Sequence, residues 1–323
     1  MEAQVHIEEI VEGLGKGQIR FLSRAITLIE STAEKDLAQA DALLDKLAGQ
    51  ESESHRIAIT GVPGVGKSTF IDRLGMHFMQ KGKKVAVLAV DPSSRISQGS
   101  ILGDKTRMER LSAEPKAFIR PSPAADTLGG VARKTREAIL LCEAAGFDII
   151  LIETVGVGQS EIEVKDMADT FLLLMLAGAG DELQGIKRGI MEMADLVVIN
   201  KAEEETLSVA REAASNYTSA LHLLGQQGEW TQRVQLMSSL TGFNEESVFQ
   251  DIEDHYSYLK ESDELYSHRR LQQVKWFNSS LDDEVLKRFF AGKGIAAKAE
   301  RMKDALKKGE LSVRTALKLM LED

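Results

Sequence analysis

An α/β fold with a mostly parallel, doubly wound sheet is predicted by three observations. Short, nearly continuous apolar runs recur along the middle of the chain, and segments with helical spacing separate most of them. Such runs mark strands buried on both faces, the usual condition of parallel strands. A glycine-rich loop, Gly61-Val62-Pro63-Gly64-Val65-Gly66-Lys67-Ser68-Thr69, joins the first run to a helical segment. Both ends of the chain carry helical patterning, so the sheet domain has helical extensions at each terminus.

The elements follow in order. Residues 1 to about 50 form the N-terminal extension: Ile19, Leu22, Ala25, Ile26 and Ile29 share one helix face, and Ala38–Leu47 reads as another helix. The polar stretch Gly49–Ser54 leads into a first strand, Arg56–Thr60, and Ser68–Met79 reads as the helix after the loop. Five more runs read as strands: Lys84–Val90, Ile149–Ile152, Thr170–Leu176, Leu196–Ile199 and Val234–Met237. After Ser247 the pattern is helical to the end, with large apolar residues in Leu271–Phe277 and Leu281–Phe290 and two short helices near 296–307 and 311–321. The expected organisation is 1–50 helical, 51–260 sheet domain and 261–323 C-terminal helical arm. No internal repeat or low-complexity segment is visible.

Composition narrows the function classes. A chain of 323 residues, 28% of them charged, accommodates one large α/β domain with additions. A net charge of −10 argues against a nucleic-acid partner. The single cysteine, Cys142, excludes an intramolecular disulfide and a CxxC metal site. The N-terminus carries Glu2, Glu8 and Glu9 and no basic leader, and the longest apolar run, Phe171–Ala177, is too short for a bilayer. A cytoplasmic protein without membrane contact is expected. The six histidines are scattered, and no nucleophile–histidine–acid arrangement stands out.

The loop Gly61–Thr69 carries the chemistry. Its G-x-x-x-x-G-K-S pattern turns backbone N–H groups toward phosphate oxygens, adds Lys67 at the β/γ-phosphates and offers the Ser68 hydroxyl to Mg²⁺. A strand before it and a helix after it are the setting of a P-loop NTPase. Two acids end strands: Asp91, opening Asp91-Pro92-Ser93-Ser94, and Glu153, opening Glu153-Thr154-Val155-Gly156. Both are placed to hold Mg²⁺ through water, and Gly156 to bring a backbone N–H to the γ-phosphate. Between them, Gly99–Met108 holds Asp104, Lys105 and Arg107 among glycines, in the manner of a switch loop.

The base is read elsewhere. Asn200-Lys201-Ala202-Glu203 follows a strand, where a guanine-reading N-K-x-D belongs. An acid there accepts from guanine N1–H and N2–H₂, a donor pair adenine lacks. Glu203 is longer than aspartate and keeps that contact only by folding back. Ser238-Ser239-Leu240 follows the last strand, where a guanine O6 loop belongs. The phosphate loop itself serves either nucleotide, so an ATP-dependent kinase or ATPase is the alternative reading.

With these motifs in place, the chain resembles the MeaB/ArgK-type GTPases, the methylmalonyl-CoA mutase-associated family in the metallochaperone branch of P-loop GTPases. The resemblance runs over roughly residues 15 to 320 and rests on Gly61–Thr69, Asp91–Ser94, Gly99–Met108, Glu153–Glu161, Gly178–Glu192 and Asn200–Ala202. It implies a GTPase that binds an adenosylcobalamin-dependent acyl-CoA mutase, gates cofactor loading and protects the mutase. It implies a homodimer formed through the C-terminal arm, and adenosylcobalamin reached only through the partner. Carried over by position, Lys67 steadies the phosphates and Ser68 ligates Mg²⁺. Asp91, Asp104 and Glu153 form the acidic metal side, and Asn200, Lys201 and Glu203 face the base. Gly178–Arg188 becomes a third loop that reports nucleotide state.

Overall fold

The structure, a computed structural model, describes residues 6–90, 108–121, 128–154, 160–177, 188–224 and 229–321. They divide into two compact units, Met1–Arg269 and Arg270–Asp323, with the boundary inside one long helix, Glu264–Ala291.

The first unit is built on a seven-stranded, all-parallel sheet. Its strands are β1 (His55–Gly61), β2 (Val85–Val90), β3 (Ala117–Arg120), β4 (Ile149–Thr154), β5 (Thr170–Leu176), β6 (Leu196–Asn200) and β7 (Arg233–Leu236). Their spatial order is β3-β2-β4-β1-β5-β6-β7. The chain runs outward from β1 to β3, returns to insert β4 beside β1, then reverses through β5 to β7. That reversal beside β1 is the topological switch point, where such sheets open a crevice at their carboxyl edge.

β2 and β4 are buried along their whole lengths, as are all of β1 except Arg56 and all of β5 except Leu176. The edge strands differ: β7 carries Arg233 and Gln235 and is half-buried throughout, and β3 buries only Phe118. Polar edges of this kind discourage pairing with another sheet. β3 was not expected from the sequence. It is four residues long, follows Glu114-Pro115-Lys116 and ends in Arg120, so it lacks the apolar run that betrays its neighbours.

The N-terminal helices Ile7–Gly15, Ile19–Glu30 and Glu34–Leu47 share the sheet's core through Leu14, Leu22, Ile26 and Leu43. Each such aliphatic side chain stabilises by roughly 1.5–3 kcal/mol on full burial.

The amino edge of the sheet holds a buried polar network. Arg269, in the second turn of Glu264–Ala291, donates Nε to Asp169 Oδ1 at 2.8 Å and Nη2 to Asp169 Oδ2 at 2.7 Å. The same guanidinium reaches the carbonyls of Ser52 and Ser54, both at 2.6 Å. Burial opposes ionisation of Asp169, but the Arg269 fork and the Arg56 charge outweigh it and hold its pKa below the ordinary aspartate value. Beside it, Thr170 Oγ1 bridges His55 Nε2 at 2.7 Å and His255 Nδ1 at 2.8 Å. His55 stacks on Tyr256 with ring centroids 4.2 Å apart.

In the second unit, Arg270–Ala291 is followed by helices Ile295–Lys307 and Val313–Leu321. Leu271, Val274, Phe277, Leu281 and Val285 are all exposed along the long helix. No helix among the described residues is long and apolar enough to cross a membrane.

Candidate active site

Because every pairing is parallel, β1, β4 and β6 end on the same edge, at Gly61, Thr154 and Asn200. Glu153 lies in register with Ile59, two residues before the phosphate loop begins. Thr154 Oγ1 donates to Thr60 Oγ1 at 2.8 Å and pins the ends of β4 and β1 together.

The loop from Val62 to Gly66 leads straight into the helix Lys67–Gln80. Gly66 caps that helix with φ of 97°, a left-handed conformation. A Cβ at Gly66 would come within 2.8 Å of Asn200 Nδ2, so both backbone and neighbour demand glycine. Lys67 folds back over the loop, with Nζ donating to Gly61 O at 2.7 Å and Val62 O at 3.3 Å. Its partial burial lowers the ammonium pKa, and the Glu153 carboxylate opposes that shift. Ser68 Oγ donates to Glu153 Oε1 at 3.1 Å. Glu153 is buried with a carboxylate aimed at the loop.

Asn200 joins this loop to the next one. Its Nδ2 donates to Val65 O at 2.7 Å, and its Oδ1 accepts from Ser239 N and Ser239 Oγ, both at 2.9 Å. Lys201 follows in a left-handed conformation, φ 59°, with its side chain exposed. Glu203 Oε1 accepts from Ser238 Oγ at 2.7 Å. Thr206 closes the turn by donating to Lys201 O at 2.6 Å and accepting from Glu203 N at 3.1 Å. Ser238 and Ser239 are buried, whereas Leu240 is 74% exposed at the tip.

The structure therefore brings Gly61 to Thr69, Glu153, Asn200 to Glu203 and Ser238 to Leu240 to one edge of the sheet. Asp91, Asp104 and Gly156 lie outside the described residues, as do 99–107, 155–159 and 178–187. Among the described residues, no group of three His, Cys, Asp or Glu side chains could hold a metal. The Ser68 hydroxyl and Glu153 carboxylate are a pair of oxygen donors. They suit a hard cation that keeps water and substrate oxygens as its other ligands.

A family profile described as methylmalonyl Co-A mutase-associated GTPase MeaB matches residues 22–294. The chain belongs to the MeaB family. A Mycobacterium bovis protein named as a probable GTPase is 47% identical over 327 residues, covering 100% of this chain and 97% of its own. The mouse protein named methylmalonic aciduria type A homolog, mitochondrial, is 43% identical over 330 residues, covering 99% of this chain and 80% of its own. A crystal structure of a LAO/AO transport system kinase aligns with TM-score 0.79 and 36% identity over 98% of both chains.

This MeaB chain is a GTP-hydrolysing enzyme with the P-loop GTPase fold. Two features of its site escaped the sequence. The Thr60–Thr154 bond joins residues 94 apart, and no local pattern announces it. Arg73, in the helix Lys67–Gln80, touches the loop at Ser239 and Leu240 with its side chain only 20% exposed.

Proposed function

We propose that this MeaB-family GTPase serves a separate adenosylcobalamin-dependent acyl-CoA mutase of the methylmalonyl-CoA mutase type. In this reading GTP binding and hydrolysis gate cofactor loading and protect the mutase, as a metallochaperone does. The observation that carries it is the match of residues 22–294 to a family described as mutase-associated. The mouse relative's name points the same way.

Hydrolysis of GTP by water needs positioning and charge neutralisation rather than a covalent intermediate. Lys67 has two carbonyl partners in the loop and exchanges them for β/γ-phosphate oxygens. The loop N–H groups and the helix N-terminus at Gly66 face the same anion. Ser68 and Glu153 would hold Mg²⁺, with Asp91 and Asp104 completing the acidic side. When bound, Mg²⁺ neutralises charge on the β- and γ-phosphates. Gly156 would present its N–H to the γ-phosphate.

Glu203 accepts from guanine N1–H and N2–H₂ with Ser238 holding its carboxylate in place. Lys201 lies along the base, and the Ser239–Leu240 backbone meets guanine O6. Asn200 sets the distance between base and phosphates, because it touches both loops. The GTPase family and this acid-bearing loop favour GTP over the ATP that a kinase reading requires.

The exposed apolar residues of Glu264–Ala291 are the surface through which two copies pair. A cytoplasmic location is part of the same reading. Among the described residues no side chain is placed to orient the attacking water, and in this reading the isolated protein hydrolyses GTP slowly until a partner engages it.

The test is GTP turnover with Mg²⁺, with and without a candidate adenosylcobalamin-dependent mutase, with ATP as control. Stimulation of GTP turnover by the mutase is expected. Equal use of ATP, or indifference to every mutase, refutes the reading.

A further inference from the structure

We propose that Arg73 is a positioning residue for purine discrimination, holding the base loop at a fixed place relative to the phosphate loop. The inference rests on reading Ser238–Leu240 as that base loop.

The geometry is specific. Arg73 projects from the second turn of the helix Lys67–Gln80, six residues after Lys67. Its Nε donates to Ser239 O, and its Nη2 donates to Leu240 O at 2.7 Å. Its Nη1 pairs with Glu245 Oε2 at 2.7 Å, at the start of the helix Glu245–Glu261. One planar guanidinium thus takes two consecutive carbonyls and one carboxylate. A lysine cannot reproduce that fork.

The loop is shaped to accept it. Ser238 N donates to Phe243 O at 3.1 Å and Gly242 N donates to Ser238 O at 2.8 Å, closing a tight turn. Gly242 has φ of 85°, and a Cβ there would lie 2.8 Å from Arg73 Nη1. Turning both carbonyls toward Arg73 also sets the amide planes that follow them, so the N–H groups of Leu240 and Thr241 are fixed in direction. Thr241 N is already taken by Ser238 Oγ at 3.1 Å, the same hydroxyl that holds Glu203.

Two independent struts therefore run to the base loop. Asn200 links it to Val65 of the phosphate loop, and Arg73 links it to the helix that the phosphate loop starts. Both keep the spacing between phosphates and base constant. Among the described residues, no hydrogen bond joins the Ser239 and Leu240 carbonyls directly to the phosphate loop, so losing Arg73 acts first on the base side.

The experiment measures GDP, IDP and ADP affinities of the full chain for wild type, Arg73→Ala, Arg73→Lys, Glu245→Gln and Glu203→Ala. Thermal unfolding checks that each variant is folded. Arg73→Ala is expected to weaken GDP binding by about tenfold, the scale of one lost charge-assisted hydrogen bond, with ADP binding unchanged. Arg73→Lys should recover only part of that loss. Glu245→Gln, which frees the guanidinium on one side, should show a smaller loss of the same kind. It also supplies the answer if Arg73→Ala does not fold. An unchanged GDP/ADP ratio in folded Arg73 variants, while Glu203→Ala lowers it, overturns the role of Arg73 alone. A ratio unmoved by Glu203→Ala as well overturns the base-loop reading and this inference with it.

Discussion

Ser68 and Glu153 are hydrogen-bonded at 3.1 Å, joining the first turn of the phosphate-loop helix to the end of β4. They sit 85 residues apart in sequence, and the parallel pairing of β1 with β4 brings them together. Both are oxygen ligands of the type Mg²⁺ takes, and the proposed metal site rests on this pair.

Glu153→Gln should therefore separate binding from turnover. The amide keeps size and hydrogen bonding but removes the charge beside the ion. Turnover of GTP with saturating Mg²⁺ is expected to fall about 10²-fold, the scale of losing one preorganised electrostatic group. GDP affinity measured in EDTA should change little. Wild-type turnover in this variant would remove Glu153 from the metal side.

Glu203→Gln tests how the base is read. The carboxylate accepts from Ser238 Oγ at 2.7 Å, and in the proposed reading its other oxygen meets the base. An amide in its place presents a donor where guanine also donates, but where xanthine has a C2 carbonyl. GDP affinity should fall by about 10²-fold or more, since a hydrogen-bond mismatch in a built site is costly. XDP affinity should rise. Titration of both diphosphates decides it, and parallel losses for the two would contradict the pairing.

These residues show what the sequence could reveal. Six of the seven strands, the loop Gly61–Thr69 and the order of its partners are legible, because buried parallel strands are continuous apolar runs and phosphate loops are local. β3 was hidden because Ala117–Arg120 is a short edge strand with a charged end. Glu203 could be judged only as an acid one carbon too long, since its partner Ser238 lies 35 residues away. Arg73 was hidden for the same reason: its partners lie 166 and 167 residues away, and an arginine on a helix looks like any solvated charge.

His55 predicts an acid-labile stability. Burial pushes its pKa from 6.5 down to about 3, with Asp169 opposing and His255 and Arg269 reinforcing the shift. The pKa of His255 is lowered too, again chiefly by burial. Between pH 6.5 and 3 the unfolded chain binds a proton at His55 that the native protein refuses. Stability is thus full above 6.5 and declines as pH falls, by about 1.4 kcal/mol per pH unit from His55 within that window. Asp169, with its lowered pKa, adds its own loss only below the ordinary aspartate value of 3.8. Urea midpoints at pH 7, 6 and 5 should decrease in wild type and flatten in His55→Asn. Equal slopes in both proteins would rule out His55 as the source.

Arg269 predicts the largest single loss of stability. Its fork satisfies both oxygens of Asp169, which is itself buried, and two backbone carbonyls besides. Arg269→Met removes the charge but preserves some apolar length, leaving the Asp169 carboxylate buried with only the Arg56 N–H, 2.8 Å away, from its observed partners. Breaking one side of a buried pair costs about 3–5 kcal/mol. Asp169→Asn in the same chain removes the stranded charge and should return part of that loss, because desolvation of an unpaired carboxylate is its main component. The urea midpoint should fall steeply for Arg269→Met and recover in the double variant. A double variant no better than the single one would mean that the lost carbonyl contacts to Ser52 and Ser54, not the carboxylate, set the cost.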